Sequence, residues 1–109
     1  MNLIQSVVCL RNGGILAIPT DTVYGLACLA TNPDAVKRIN QIKHRQDEKN
    51  YILQVATFKQ AKVLVRPDQY VRLKKIASFW PGEITFIFKA AKSLPYPYIG
   101  ETIAIRIPN

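Results

Sequence analysis

The stretch "TIAIRIP", residues 102–108, alternates without a break. Ile103, Ile105 and Ile107 fall on one face of an extended chain, and Thr102, Ala104 and Arg106 on the other. This is a strand with an apolar side for a core and a second side that carries a guanidinium. An arginine in such a run needs a carboxylate partner or an anionic ligand. Asp21 and Glu101 are candidate partners, while the small Thr102 and Ala104 leave room for a ligand against the sheet.

Working outward from this strand, "EITFIFKA" (83–90), "YILQVA" (51–56) and "ILAIP" (15–19) read as further strands. Helical segments lie between them. Residues 3–12 place Ile4, Val7 and Val8 at helical spacing, and Asn12-Gly13-Gly14 is a stop signal. Asn32-Pro33-Asp34 is a helix start, followed by Val36, Ile39 and Ile42 as an apolar face. Thr57 is suited to cap a short helix through Val65. Pro67 opens another, with Tyr70, Leu73, Ile76, Ala77 and Trp80 as its core side and Pro81-Gly82 as its end. Strands interleaved with helices predict an α/β fold, a twisted mixed β-sheet with flanking helices.

The 109 residues fit a single domain spanning 1–109, and 49% apolar content is enough for a packed core. No apolar run approaches the ~18 residues of a membrane span, and no basic segment leads an apolar block at the N-terminus. Cys9 and Cys28 stand apart in apolar contexts and read as buried free thiols of a cytoplasmic protein. The single histidine, His44, has no ligand partner at metal-binding spacing. Fifteen Lys and Arg against seven Asp and Glu give a formal charge of +8, which favours polyanionic partners such as nucleotides or RNA.

Two further stretches carry candidate chemistry. In "AIPTDTVYGLA" (17–27) an apolar run gives way to Thr20, Asp21, Thr22 and Tyr24. Hydroxyls at a strand end suit a polar ligand, and an Asx-type turn explains the same residues equally well. In "KHRQDEK" (43–49), Lys43, Arg45 and Lys49 follow a helix end. They either complement the helix dipole or clamp phosphates. There is neither GxxxxGK nor GxGxxG, so a nucleotide site would depend on side-chain cations.

Four segments, "GGILAIPTDTVYGLA" (13–27), "IKHRQDEKNYILQV" (42–55), "WPGEITFIFKA" (80–90) and "TIAIRIPN" (102–109), resemble in order the YrdC/Sua5 family of threonylcarbamoyl-AMP synthases. The resemblance implies a reaction in which L-threonine, bicarbonate and ATP, with Mg²⁺, give threonylcarbamoyl-AMP and pyrophosphate for the t6A modification of tRNA. It implies that Lys43, Arg45, Lys49 and Thr102 contact ATP, and that Thr22, Tyr24, Gln54 and Arg106 serve threonine. No residue is implied as a nucleophile. Gln46 stands where the family has proline, and the family's downstream Ser-x-Ala-Asn motif does not occur in these residues. The abrupt end at Asn109, after a strand whose second face needs cover, leads us to expect a domain incomplete at its C-terminal end. The alternative expectation is a non-catalytic tRNA- or double-stranded-RNA-binding module that keeps the basic surface on a degenerate synthase fold. tRNA or tRNA-modification proteins are its expected partners, and no membrane is.

Overall fold

The alternating run at 102–106 forms the middle strand of a three-stranded sheet. A computed structural model describes residues 2–19, 24–43, 51–92, 94–96 and 99–109. In chain order the helices are α1 (Leu3–Arg11), α2 (Pro33–Ile42), α3 (Phe58–Lys62) and α4 (Tyr70–Ile76). The strands are β1 (Leu16–Pro19), β2 (Tyr24–Ala27), β3 (Ile52–Gln54), β4 (Phe86–Lys89) and β5 (Thr102–Arg106). The chain divides into two units, residues 1–47 and 48–109, each with its own packing. Among the described residues no helix is long and apolar enough to cross a membrane.

In residues 1–47, Asn2 and Gln5 form a reciprocal capping box that starts α1. Asn12-Gly13-Gly14 stops that helix: Gly13 takes a positive φ of 81° that favours glycine. Gly14 passes so close to Cys9 Sγ that a β-carbon there would collide with it. β1 then pairs antiparallel with β2, Leu16 opposite Ala27 and Pro19 opposite Tyr24. The strand at 24–27 was not expected, because Tyr24 and Gly25 read as part of a polar turn. α2 is capped by Asn32, whose Oδ1 accepts from the Ala35 N–H at 3.1 Å. It buries Ala35, Val36 and Ile39, whereas Ile42, expected on the same face, is 54% exposed. The cysteines are free but half-buried rather than buried, and partial desolvation pushes the Cys28 thiol pKa up.

In residues 48–109 the sheet order is β3-β5-β4, with β3 parallel and β4 antiparallel to β5. The mixed sheet is thus as expected, though each strand is shorter than its apolar run. Ile103, Ile105 and Ile107 point into the core with Leu53, Phe88, Leu73 and Trp80. Thr57 caps α3 by accepting from the Gln60 N–H at 3.1 Å, but the helix stops at Lys62 because Val65 is drawn into a bridge with Ala90. Pro67 opens a 3₁₀ turn that leads into α4, and Leu73 is the residue through which α4 enters the core. The outer edge of β4 is covered by the α3–α4 segment. Arg72 Nη1 donates to the Ile87 carbonyl at 2.8 Å, the Lys89 N–H donates to Gln69 Oε1 at 3.1 Å, and the Arg66 N–H donates to the Lys89 carbonyl at 3.0 Å. Backbone groups that would invite another strand are therefore paired within the chain.

Candidate functional site

β5 alternates, so its second face presents Thr102, Ala104 and Arg106, and the strand register shows what lies beside each. Gln54 of β3 is the Cα partner of Arg106, Ile52 is that of Ala104, Ile87 of β4 also pairs with Ala104, and Lys89 pairs with Thr102. Cross-strand partners share a face. Gln54, Thr102 and Arg106, three residues singled out from the sequence, therefore stand on one surface of one sheet. Continuing the β4 register by one position sets Thr85 opposite Arg106. The face has three rows: Gln54, Arg106 and Thr85; then Ile52, Ala104 and Ile87; then Thr102 and Lys89. Ile52 is 49% and Ile87 60% exposed, so the middle row is an open apolar strip between two polar rows. Four residues along a strand span roughly 13 Å, which is the distance from Thr102 to Arg106 along β5.

Arg106 is half-buried, and its Nε donates to Thr85 Oγ1 at 3.0 Å. A hydroxyl accepts this hydrogen bond without adding negative charge, unlike the carboxylate considered from the sequence. Thr85 is itself held in place on both sides. The Trp80 indole N–H donates to the Ile84 carbonyl at 2.7 Å, and its ring meets Phe86 edge-on at 5.6 Å. The Gly82 N–H donates to the Ile107 carbonyl at 2.9 Å. The "WPGEIT" run thus has a structural reading: it fastens the approach to β4 against the far end of β5. Thr85 and Lys89 were not singled out from the sequence. The alternation of Phe86 and Phe88 into the core puts Thr85, Ile87 and Lys89 on the opposite face, but only the register puts Thr85 beside Arg106.

At the Thr102 end a cleft of about 600 Å³ opens, lined in part by Arg66, Lys89, Lys92, Glu101 and Thr102. Arg66 is bound to Asp68 by two guanidinium hydrogen bonds, and these bonds, helped by its charge, hold the Asp68 carboxyl below the usual carboxylate range. Its positive charge is locally compensated, whereas Lys89 and Lys92 give the cleft its cationic side chains. Among the described residues no group of three or more His, Cys, Asp or Glu could hold a metal ion.

The other residues singled out lie in residues 1–47 or outside the described residues. Lys43 is the exposed C-cap of α2, its backbone N–H donating to the Ile39 carbonyl at 3.0 Å. Tyr24 is placed by its backbone, which opens β2. Thr22, Arg45 and Lys49 lie outside the described residues.

Comparison with known proteins bears on what such a face belongs to. The Sua5_yciO_yrdC family model, described as "Telomere recombination", matches residues 8–109. A threonylcarbamoyl-AMP synthase of Coxiella burnetii is 41% identical over 105 residues, covering 94% of this chain and 56% of the relative. One of Bacillus subtilis is 35% identical over 108 residues, covering 96% of this chain and 31% of the relative. The crystal structure of Pyrococcus abyssi Sua5 complexed with L-threonine superposes with a TM-score of 0.77 at 34% identity, over 95% of this chain and 31% of that one. The chain thus spans only about a third to a little over half the length of these relatives. With a family model matched over nearly its whole length and relatives above 30% identity, this chain belongs to the Sua5/YciO/YrdC family.

Proposed function

We propose that the chain carries the threonine-recognising part of a threonylcarbamoyl-AMP synthase, which joins L-threonine, bicarbonate and ATP into threonylcarbamoyl-AMP and pyrophosphate for t6A modification of tRNA in the cytoplasm. The observation that carries the proposal is the shared face of Gln54, Thr102 and Arg106, in a chain whose relatives bear that activity by name. In this reading Arg106 receives the threonine carboxylate, with Gln54 beside it, and the family resemblance assigns Thr22 and Tyr24 to threonine as well. Thr102 lies toward the nucleotide, and Lys43, Arg45 and Lys49 neutralise the phosphates. The roughly 13 Å between Thr102 and Arg106 suits a product with a threonyl end and an adenylyl end.

The chemistry asks for positioning and charge more than for a reacting side chain. The threonine amine adds to bicarbonate with loss of water to give a carbamate. A carbamate oxygen then attacks the α-phosphorus of ATP, and the bond to the pyrophosphate breaks. Two anions must approach, so fixed cations lower the barrier by compensating charge as it builds. Mg²⁺ in this reading arrives on the ATP phosphates and shares their charge.

Calorimetric titration of the 109-residue chain with L-threonine and Mg²⁺–ATP, separately and together, tests the proposal. Binding of L-threonine that vanishes in Arg106→Ala is the expected result. A folded chain that binds neither ligand would sink it. The charge of +8 favours a second reading, a non-catalytic RNA-binding module. That reading predicts tRNA binding that weakens steeply with salt and is indifferent to ATP.

A further inference from the structure

We propose that Thr85 is a positioning residue: its hydroxyl fixes the Arg106 guanidinium in the orientation that receives the substrate carboxylate. The inference rests on the reading of Arg106 given above and deepens it. Arginine has four side-chain torsions, and an arginine on an open sheet face samples many of them. A bidentate grip on a carboxylate requires the planar fork to lie in one plane and at one height. The hydrogen bond from Arg106 Nε to Thr85 Oγ1 at 3.0 Å fixes the root of that fork. Because Nε is the inner nitrogen, a bond there directs the plane through Nη1 and Nη2 without using either.

The choice of partner matters as well. A carboxylate at position 85 would also orient Arg106 but would compete with the substrate for its charge. A threonine hydroxyl orients and leaves the charge undiminished. Thr85 can do this because its own place is over-determined. It lies one residue before β4, opposite Arg106 in register, and the neighbouring Ile84 carbonyl is held by the buried Trp80 indole at 2.7 Å. The route from sequence to recognition is therefore Trp80 to the strand entry, strand entry to Thr85, and Thr85 to Arg106.

The test compares Thr85→Val, which keeps the branched shape and loses the hydroxyl, with Thr85→Ser, which keeps the hydroxyl. Three quantities are measured on the full 109-residue chain: the calorimetric Kd for L-threonine and for L-threoninamide, the NMR signal of the Arg106 Nε–H, and the urea midpoint followed by Trp80 fluorescence. Thr85→Val is expected to weaken L-threonine about tenfold, the size of one lost hydrogen bond. It should leave L-threoninamide, which has no carboxylate, unchanged, and should shift and broaden the Nε–H signal. Thr85→Ser is expected to stay within about threefold of wild type, and the midpoints of all three proteins to agree. Wild-type L-threonine affinity in Thr85→Val overturns the inference, whether or not the Nε–H signal moves. So does a loss of affinity matched by a lower urea midpoint and not restored by serine, because that pattern describes a packing role. Equal affinity of the wild type for L-threonine and L-threoninamide, or for neither, refutes the carboxylate role of Arg106, and the positioning role of Thr85 falls with it.

Discussion

Replacing Arg72 by methionine measures what the cover on the β4 edge is worth. The substitution keeps an unbranched stem of similar reach and removes the guanidinium. A long hydrogen bond from Nη1 to Gln69 Oε1 at 3.5 Å is lost, and with it two stronger interactions. One is the hydrogen bond from Nη1 to the Ile87 carbonyl at 2.8 Å, and the other is the stacking of the guanidinium over the Phe88 ring at 4.8 Å. Ile87 is 60% exposed, so water can reach its carbonyl once the arginine is gone, and the lost bond falls near the low end of the range for such groups, about 0.5–1 kcal/mol. The cation–π contact between an exposed guanidinium and the buried Phe88 ring adds about 0.5–1 kcal/mol. The sum is about 1–2 kcal/mol. For a chain of this size, with a urea m-value on the order of 1–1.5 kcal/mol/M, the midpoint should drop by about 1 M. Trp80 is the single tryptophan and sits in the same unit as Arg72, so its fluorescence follows that unit. Lys74→Met, on the exposed side of α4, serves as the control and should change stability by less than about 0.5 kcal/mol. An Arg72→Met midpoint indistinguishable from that of Lys74→Met would refute the reasoning, for it would mean that the Gln69 and Arg66 bonds to Lys89 hold the edge without the guanidinium.

Three other outcomes follow from named contacts. Leu73 is completely buried and is the anchor of α4, so Leu73→Ala should cost about 2–5 kcal/mol in the same urea assay. Gly13 has a positive φ and its added β-carbon would meet the Asn32 amide at 2.9 Å; Gly13→Ala should destabilise residues 1–47 by about 1 kcal/mol or more, read by hydrogen exchange of the α1 and α2 amides. The Asp68 carboxyl titrates below its ordinary value because Arg66 binds its charged form, so the stability contributed is present above the ordinary carboxylate pKa and is lost as pH falls through the lower folded value. Asp68→Asn should accordingly flatten the acid limb of a Tm-against-pH profile below about pH 4, and an unchanged limb would assign the acid sensitivity to other carboxylates.

What the sequence disclosed depended on whether the signal was local. β5 was legible because alternation is a property of consecutive residues, and its inner isoleucines are buried as that pattern requires. The caps at Asn32 and Thr57 were legible for the same reason, since a side chain three residues upstream decides them. The residues of α1 show the limit of such patterns: Ile4, Val7 and Val8 keep helical spacing, yet α1 buries none of its residues. Helical spacing predicts a face and leaves open what covers it. β2 was missed because Tyr24 and Gly25 have the composition of a turn, and pairing with β1 overrode it. At the candidate site the residue types of Gln54, Thr102 and Arg106 were readable one by one. Their shared face was not, because it depends on a parallel register between residues some fifty positions apart. Thr85 was invisible on the same ground, since nothing within its own neighbourhood points to Arg106.

The sheet's middle strand is also the last of its strands to be made. β3 and β4 leave the ribosome with no partner for the edges they will later share with β5, and the core-facing Ile103, Ile105 and Ile107 join Leu53 in the core only after residue 107 has emerged. During synthesis the Leu53 and Phe88 side chains and two open strand edges must therefore wait in water or in the care of a chaperone. The interval is set by the rate of translation through residues 90–106. Slow codons in that interval would lengthen the exposure, so the messenger that encodes "YPYIGETIAIR" bears on how much folded protein a cell recovers, independently of any change in the amino acids themselves.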